Sequence, residues 1–272
     1  MRPGWKGLRM ENLYNQADLY CLAFEYPVDE EVDHVLKVVT ELMGRVPESV
    51  LEPMCGNARY GPVFVGRGLR YFGFDLSSEM LARIPPDSGL ETWVADAADF
   101  DFKGGPLDLG FCPINSIRHL PDFDALEKNL HCMHRHLSPD GCYWIETSLL
   151  DHDGAFDDHG VSWSMPQPDG SEVRASWWDV EGDRSNRTMK EACRFERVHD
   201  GRSVEVVENT FDMLMTSAGD WIDLARRTGF EVVGVHTRKI DRWVPGPLAV
   251  QLDNSKDNHG ILLKRTHFSP AG

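Results

Sequence analysis

Short apolar runs alternate with helical patterns in the first half of the chain, and this alternation constrains the fold more than any other sequence feature. Five runs are predicted as strands, namely "SVLEPM" from residue 49, "RYFGFD" at 70–75, "LETWVAD" at 90–96, "LDLGFC" at 107–112 and "CYWIET" at 142–147. Helical patterns such as "FDALEKNLHCMHRHL", with apolar residues three and four positions apart, lie between strands. Strands that alternate with helices form a parallel sheet with right-handed crossovers, so the sequence predicts an α/β fold.

Two further strands and a β-rich region follow the fifth strand. "FEVVGVHT" comes after a helix with a capping box, in which Ser217 stands three residues before Asp220. "HGILLKR" at 259–265 is predicted as an edge strand. Between the fifth and sixth strands, "SEVRASWWDV", "TMKEACRFERV" and "SVEVVENTFDMLM" are β segments separated by turn sequences. We expect them to form an antiparallel addition to the main sheet.

The residues that end the first three strands indicate a ligand site. In an open parallel sheet, ligands bind beyond the carboxyl ends of the strands. Glu52 and Gly56 stand at the end of the first strand, Asp75 ends the second and Asp96 ends the third. An acid about 20 residues after a glycine loop is placed to bind both hydroxyls of a ribose. The pattern therefore favours a cofactor that contains adenosine.

The glycine loop departs from the dinucleotide-binding fingerprint at its middle position. Gly56 and Gly61 stand where G-x-G-x-x-G requires glycine, but Ala58 holds the middle place, and its methyl group opposes the close approach of a pyrophosphate. Glu52 lies beside the loop and disfavours phosphate by its charge. A ligand with a ribose, a positive charge and no phosphate fits both features, and S-adenosylmethionine is such a ligand.

Three segments resemble the cofactor motifs of class I S-adenosylmethionine-dependent methyltransferases. They are "VLEPMCGNARYG", "YFGFDLSSEML" and "WVADAADFDF", and "LDLGFCPINSIRHL" is similar to the fourth-strand segment of the small-molecule enzymes of this family. The resemblance covers roughly residues 45–150 and resumes at 217–265. It departs from the family pattern at Ala58, where glycine is common, and at Asn57, where Thr or Ser is frequent.

The resemblance implies roles for the cofactor residues. Asp75 would hold the ribose, Asp96 the adenine amino group and the amide of Ala97 a ring nitrogen, while the loop would lie against the methionine part. "NLYNQADLY" resembles the family's cap, in which Tyr14 or Tyr20 would meet the methionine carboxylate. The full predicted set is Tyr14, Tyr20, Glu52, Met54, Gly56, Asn57, Ala58, Arg59, Asp75, Leu76, Met80, Asp96, Ala97, Cys112 and Pro113. The cofactor would be S-adenosyl-L-methionine, with S-adenosyl-L-homocysteine as its product.

The predicted fold is a Rossmann-like sheet of seven mostly parallel strands with helices on both faces. Residues 1–44 are expected to form an N-terminal helical cap and the first helix, and residues 45–150 the cofactor-binding core. An antiparallel β insertion between strands five and six, residues 151–215, would form the substrate or lid region. Residues 216–272 would complete the core.

Residues near the expected methyl-transfer point are candidates for the acceptor site. The predicted substrate residues are Asn115, His119, Glu146, Trp163 and Trp178, and the predicted catalytic residues are His119 and His152. His119 suits a loop hydrogen bond equally well, the tryptophans suit the core of the β region, and Glu146 suits a solvated acidic surface. The histidines of "HCMHRH" are interpreted as surface residues, and no metal site is predicted.

These features predict a methyltransferase acting on a small molecule. An amine acceptor is preferred because acidic residues surround the expected site, whereas O-methylation of a hydroxyl or carboxylate needs a general base. A non-catalytic binding subunit that keeps the fold is the alternative of another class.

Composition limits the partners of the chain. The net charge of −16, from 44 acidic and 28 basic residues, repels phosphate backbones, so nucleic acid is not expected to bind. No apolar run approaches the length of roughly 18–20 residues that spans a membrane, and no secretion signal is recognised. The six cysteines are scattered, which favours reduced thiols and a cytoplasmic location. A homodimer is one assembly that the sequence leaves open.

Overall fold

The computed structural model describes residues 17–149, 160–239, 242–246 and 258–266. Tyr14 and His152, two of the predicted site residues, lie outside the described residues. The described strands are β1 (Ser49–Pro53), β2 (Arg70–Asp75), β3 (Glu91–Val94), β4 (Leu107–Cys112), β5 (Leu137–Ser148), β6 (Gly160–Pro166), β7 (Glu172–Asp183), β8 (Thr188–His199), β9 (Arg202–Leu214), β10 (Phe230–Lys239), β11 (Arg242–Gly246) and β12 (Asn258–Arg265). The described helices are α1 (Ala17–Ala23), α2 (Asp29–Met43), α3 (Gly61–Gly66), α4 (Ser78–Leu81), α5 (Phe123–His136) and α6 (Ala218–Thr228), with a 3₁₀ helix at Ser116–His119.

The main sheet has the strand order β11-β10-β12-β5-β4-β1-β2-β3. Strands β1 to β5 pair in parallel, and β12 is antiparallel to both β5 and β10. The predicted seven-stranded, mostly parallel sheet is confirmed, and β11 adds an eighth strand at one edge. The acidic residues predicted to bind the cofactor, Glu52, Asp75 and Asp96, therefore lie at or just after the carboxyl ends of parallel strands, on one edge of this sheet.

The prediction that residues 259–265 form an edge strand is wrong. Strand β12 lies inside the sheet between β5 and β10, and Ile261, Leu262 and Leu263 are all buried. Consecutive apolar residues of this kind are typical of a strand that is covered on both faces, whereas an edge strand is more often interrupted by charge.

The insertion forms a sheet of its own, with the order β6-β7-β8-β9 and antiparallel pairing throughout. The expectation that it extends the main sheet is wrong, because the turn sequences specify hairpins but not the edge that those hairpins join. Strand β6 was not predicted. Its sequence "GVSWSMP" combines small polar residues with a proline, and most of its residues are exposed.

The predicted helices are confirmed, and local capping explains where they begin and end. Ser77 accepts a hydrogen bond from the amide of Met80 at the start of α4. In α6 Ser217 and Asp220 form the predicted capping box, and Gly229 ends the helix with φ of 83°. Among the described helices, none is long and apolar enough to span a membrane.

Helices cover both faces of the main sheet, as predicted. One core cluster packs Leu130 of α5 and Trp221 of α6 against Leu51 and Tyr143, and the other packs Val35 of α2 against the opposite face. A third cluster joins α1 to the insertion sheet rather than to the main sheet, because Leu19 and Ala23 pack with Phe195. The proposed domain boundaries stay a prediction.

Candidate active site

One cavity of about 1190 Å³ lies between the carboxyl ends of the parallel strands and the insertion sheet. Residues of the first three strand ends form one wall, and residues of β6, β7, β8 and β9 form the other. Pockets for a single ligand usually measure roughly 300–1000 Å³. This cavity is therefore large enough for a cofactor and a second molecule.

The loop after β1 carries three residues with left-handed backbone, Met54, Gly56 and Ala58, whose φ angles are 56°, 56° and 53°. The amide of Gly56 donates a hydrogen bond to Oδ2 of Asp75 at 2.8 Å. A Cβ atom at position 56 would lie 3.0 Å from Cε of Met80. Both the backbone angle and this contact favour glycine here.

Ala58 and Cys112 do not line the cavity, in contrast to the prediction. Ala58 is 1% exposed, and its methyl group packs into the core that contains α2 and α3. Cys112 is fully buried on the opposite face of the sheet. Cys112 is the last residue of β4, a strand that is buried along its whole length. Ala58 belongs to the loop after β1, and its side chain packs with residues of α2 and α3.

Asp75 and Asp96 are brought to the same wall as Gly56. The Asp75 carboxylate accepts hydrogen bonds from the amides of Gly56 and Ser77, one to each oxygen. Burial raises its pKa, and the two amide bonds oppose that shift. Each carboxylate oxygen can accept a second hydrogen bond. Asp96 is exposed, and Leu76, Met80 and Ala97 complete this part of the wall.

A smaller space of about 40 Å³ shares Met54, Gly56 and Met80 with the large cavity, and Asn57 and Pro113 also line it. Glu52 lies at this space and is 2% exposed. It accepts a hydrogen bond from the Tyr71 hydroxyl at 2.7 Å. Burial raises the pKa of Glu52 to about 8, so the isolated carboxyl holds its proton at neutral pH.

Arg59 lies beside the same small space within a group of aromatic rings. Its guanidinium donates to the carbonyl oxygen of Phe24 and to the hydroxyls of Tyr26 and Tyr60, at 2.7 to 3.1 Å. The Tyr26 ring centre is 4.5 Å from its Cζ, a cation–π distance. No described carboxylate makes an ion pair with Arg59, and Arg59 lines the same small space as Tyr20.

The turn after β4 has an unfavourable backbone conformation and is hydrogen-bonded to Glu146. Ile114 and Asn115 have φ of 49° and 62°, which is unfavourable for a β-branched residue. The amide of Ile114 donates to Oε2 of Glu146 at 2.9 Å, and Oε1 accepts from Arg238 at 2.9 Å and from Asn258 at 3.1 Å. Glu146 is fully buried and does not line the cavity, so the substrate role predicted for its side chain is not supported by its position.

Asn115, His119, Trp163 and Trp178 all line the large cavity. The ring of His119 meets the ring of Phe211 edge to face at 5.2 Å. Burial lowers the pKa of His119 to about 4, against the opposing effect of Glu191. The imidazole is therefore neutral at neutral pH.

The insertion sheet supplies residues that the sequence did not reveal. Glu191 accepts a hydrogen bond from Nε1 of Trp177 at 2.6 Å and pairs with Arg118 at 2.7 Å. Arg238 also lines the cavity. Alternation along β7 and β8 marks which side chains share a face, but it does not reveal what that face covers. Other lining residues without a local signal are Phe24, Tyr26, Ile114, Met165, Met189, Met213 and Asn258.

The histidines of "HCMHRH" are only partly at the surface. His131 is exposed, but His134 lies 3.2 Å from the carbonyl oxygen of Thr266, and His136 accepts a hydrogen bond from the amide of Phe102. In the described part of the chain, no three His, Cys, Asp or Glu side chains are grouped as metal ligands would be.

Comparisons with known proteins agree with the fold. Residues 50–141 match the family model of a methyltransferase domain. The fold is similar to that of DesVI from Streptomyces venezuelae, with a TM-score of 0.74, 16% identity, and 95% of this chain and 100% of the other covered. It is also similar to CalS10, an amino pentose methyltransferase from Micromonospora echinaspora (TM-score 0.70, 15% identity, 97% and 100% covered). The sugar N-methyltransferase KedS8 from a Streptoalloteichus species is similar as well (TM-score 0.70, 17% identity, 98% and 99% covered).

The fold and this domain define the class of the protein. The chain carries a methyltransferase domain on the fold of class I S-adenosylmethionine-dependent methyltransferases, which confirms the resemblance seen in its motifs. It is accordingly an enzyme of the methyltransferase class. No protein of curated function matches the chain by sequence.

Proposed function

We propose that the chain transfers a methyl group from S-adenosylmethionine to an amine nitrogen of a small molecule. The observation that carries this proposal is the single cavity in which Gly56, Asp75 and Asp96 face His119 and the tryptophans of the insertion sheet. Two similar structures are described as an amino pentose methyltransferase and a sugar N-methyltransferase, which supports an amine acceptor.

The cofactor is proposed to lie along the strand ends, with its adenine near Asp96 and Ala97 and its ribose hydroxyls on Asp75. Its methionine end would then reach the small space beside Glu52 and Arg59. The guanidinium of Arg59 suits the methionine carboxylate, because a cation held by rings and hydroxyls keeps donor capacity for an anion. Tyr20 would close this end from α1, and the Glu52 carboxylate would face the ammonium group.

The reaction is a displacement at the methyl carbon. An acceptor that arrives as an ammonium would first lose a proton to solvent. The lone pair of the resulting neutral amine would then form the new N–C bond while the C–S bond breaks, and the electron pair of the C–S bond would stay on the sulfur of S-adenosylhomocysteine. The N–H proton then leaves the product ammonium. An imidazole with a pKa of about 4 is too weak a base to keep that proton. We therefore assign His119 to accept a hydrogen bond that orients the amine, and the proton to pass to solvent.

O-methylation of a hydroxyl or carboxylate is the second candidate. The position of His119 on the cavity wall favours it, because a hydroxyl acceptor needs a base within hydrogen-bond reach. The pKa of about 4 makes this imidazole a weak base, however, and for that reason we place N-methylation first. A non-catalytic binding subunit would be expected to have a damaged cofactor wall. Here the loop glycine and both strand-end acids lie together.

Calorimetric titration with S-adenosylmethionine tests the proposal. Asp75→Asn should weaken binding by about ten- to a hundredfold, since hydrogen bonds to charged groups contribute roughly 1.5–3 kcal/mol. Asp87→Asn, at an exposed turn position away from the cavity, is the matched control and should not change the affinity. Formation of S-adenosylhomocysteine with amines but not with phenols would support N-methylation. Absence of cofactor binding at millimolar concentration would refute the proposal.

Three expectations about partners stay predictions. The net charge of −16 supports the absence of a nucleic acid partner. The cytoplasmic location and the homodimer rest on the sequence alone.

A further inference from the structure

Most of the side chains that the insertion sheet contributes to the cavity are large and apolar. Three tryptophans and three methionines contribute to it, and we name this surface the aromatic wall: Trp163, Met165, Trp177, Trp178, Met189 and Met213. Methionine is flexible and polarisable, and it is common on surfaces that bind varied apolar ligands. A polar ligand such as a bare sugar would place its own hydroxyl groups against most of this apolar wall.

The polar edges of two of these rings are already bonded within the protein. Nε1 of Trp163 donates to the carbonyl oxygen of Ala23 at 2.7 Å, and Nε1 of Trp177 donates to Glu191 at 2.6 Å. Trp177 also stacks on Phe211 with an interplanar angle of 8°. The rings are thereby fixed, and what they offer a ligand is their apolar surface. Such surfaces bind aromatic bodies and cations.

Both described arginines that line the cavity are neutralised by carboxylates. Arg118 lies 2.7 Å from Glu191, with side chains 4% and 8% exposed, an ion pair by distance although the atoms are not aligned as a hydrogen bond. Arg238 pairs with Glu146 at 2.9 Å. Asp179 adds another acid to the same side.

This balance of charge discriminates between ligands. A phosphate group would have to compete with buried carboxylates for both arginines and would lie near Glu191 in a medium of low dielectric constant. An ammonium group meets the faces of the tryptophan rings instead, and Asp179 adds a negative charge on the same side. His119 does not alter the balance, because its ring is neutral.

We infer that the acceptor is an amine carried on a bulky apolar or aromatic body without phosphate, so that amines linked to a nucleoside diphosphate are excluded. The inference rests on the proposed function, since it assumes that the remaining wall holds the cofactor. It also gives the reaction a place in a sequence: any activating phosphate must have left the acceptor before methylation.

Three probes separate the effects of charge and apolar surface. 1-Naphthylmethylamine and 1-naphthyl phosphate share an aromatic body and differ in charge, and glucosamine has the ammonium group without the aromatic body. Each would be titrated against the full chain saturated with S-adenosylhomocysteine. We expect 1-naphthylmethylamine to bind at least about tenfold more tightly than either of the others.

Two variants connect the result to named residues. Glu191→Gln leaves the charge of Arg118 uncompensated and should tighten the binding of 1-naphthyl phosphate by about fivefold or more. Glu208→Gln is the matched control, because Glu208 on β9 pairs with Arg194 on β8 and does not line the cavity. If Glu191→Gln fails to fold, Trp178→Ala is the second variant. It should weaken the binding of 1-naphthylmethylamine about threefold or more and leave the affinity for the cofactor unchanged.

The outcomes distinguish the two proposals. No binding of S-adenosylmethionine would overturn the proposed function and this inference with it. Cofactor binding together with equal or tighter binding of 1-naphthyl phosphate would overturn the inference alone. The inference alone would also be overturned if the cofactor bound but 1-naphthylmethylamine bound no more tightly than glucosamine, or if the cofactor bound and none of the three probes did.

Discussion

At the scale of single residues, Ala58 shows that a motif position has two aspects, its backbone angle and the direction of its side chain. The position keeps the left-handed angle that a glycine would adopt, with φ of 53°. Its methyl group nevertheless packs in the core. The absent glycine therefore changes local strain rather than the space available to the cofactor.

Ala58→Gly is expected to have small and opposite effects on stability. Removing the left-handed strain contributes about 1 kcal/mol, whereas the lost buried methyl group costs about 0.8 kcal/mol and the added freedom of the unfolded chain costs up to about 1 kcal/mol. The free energy of unfolding, measured in urea, should change by no more than about 1 kcal/mol, and the cofactor Kd should not change. A Kd that improves about tenfold would show that the methyl group does reach the site.

Glu52 is expected to make cofactor binding depend on pH. Its pKa of about 8 means that the free protein carries the proton at lower pH, whereas the ammonium of the cofactor favours the carboxylate, so binding releases a proton. The affinity should rise with pH between about 6 and 8, by up to about tenfold per unit. Calorimetry at several pH values compares how steeply the cofactor affinity changes with pH in the native protein and in Glu52→Gln. The ionisation of the cofactor itself contributes equally to both. Equal slopes would contradict this account.

At the scale of elements, the turn after β4 shows how a buried acid can act on a site that it does not touch. Two consecutive left-handed residues, Ile114 and Asn115, line the cavity. Residues in such conformations cost about 1–3 kcal/mol each and persist where their surroundings hold them. Glu146 supplies the acceptor for the Ile114 amide, so we regard it as a positioning residue.

Glu146→Gln should therefore weaken acceptor binding more than cofactor binding. The amide group of Gln cannot both accept from Ile114 and balance the charge of Arg238. We expect about tenfold weaker binding of 1-naphthylmethylamine with an unchanged cofactor Kd. Asp140→Asn, at the exposed start of the same strand, is the control. Equal losses for both ligands would indicate a general structural defect instead.

Local sequence signals predicted the strand-end residues that line the cavity but not the residues that the insertion sheet contributes. Asp75 is the last residue of β2, and Asp96 comes shortly after β3 ends at Val94, so the strand pattern places both at the carboxyl-terminal edge of the sheet. Glu191 lies in mid-strand on β8, and its position in the cavity depends on how the insertion sheet packs against the turn that carries Arg118. That packing is set by contacts between residues far apart in the chain, which a pattern of alternation does not contain.

At the scale of the whole molecule, the ion pair of Arg118 and Glu191 joins the two sheets. Arg118 follows a strand of the main sheet and also donates to the carbonyl oxygen of Leu214 on β9, while Glu191 belongs to β8. Both side chains are almost fully buried, so neither tolerates the loss of the other's charge.

Arg118→Met should destabilise the protein by about 3–5 kcal/mol, because it leaves the buried charge of Glu191 without a cation. The double variant Arg118→Met/Glu191→Met should recover most of that loss. Urea denaturation of the two single variants and the double variant measures the coupling. A double variant as unstable as the sum of the single variants would contradict the assigned role of the pair.

The position of β12 has a consequence for synthesis on the ribosome. Because β10 reaches β5 only through β12, the sheet stays divided until residues 258–265 have emerged from the exit tunnel. Until then, the nascent chain presents the β5 border, with its unpaired backbone groups, to its surroundings. Exposed strand borders recruit other chains, so the interval before β12 inserts is the stage at which this protein would depend most on chaperones.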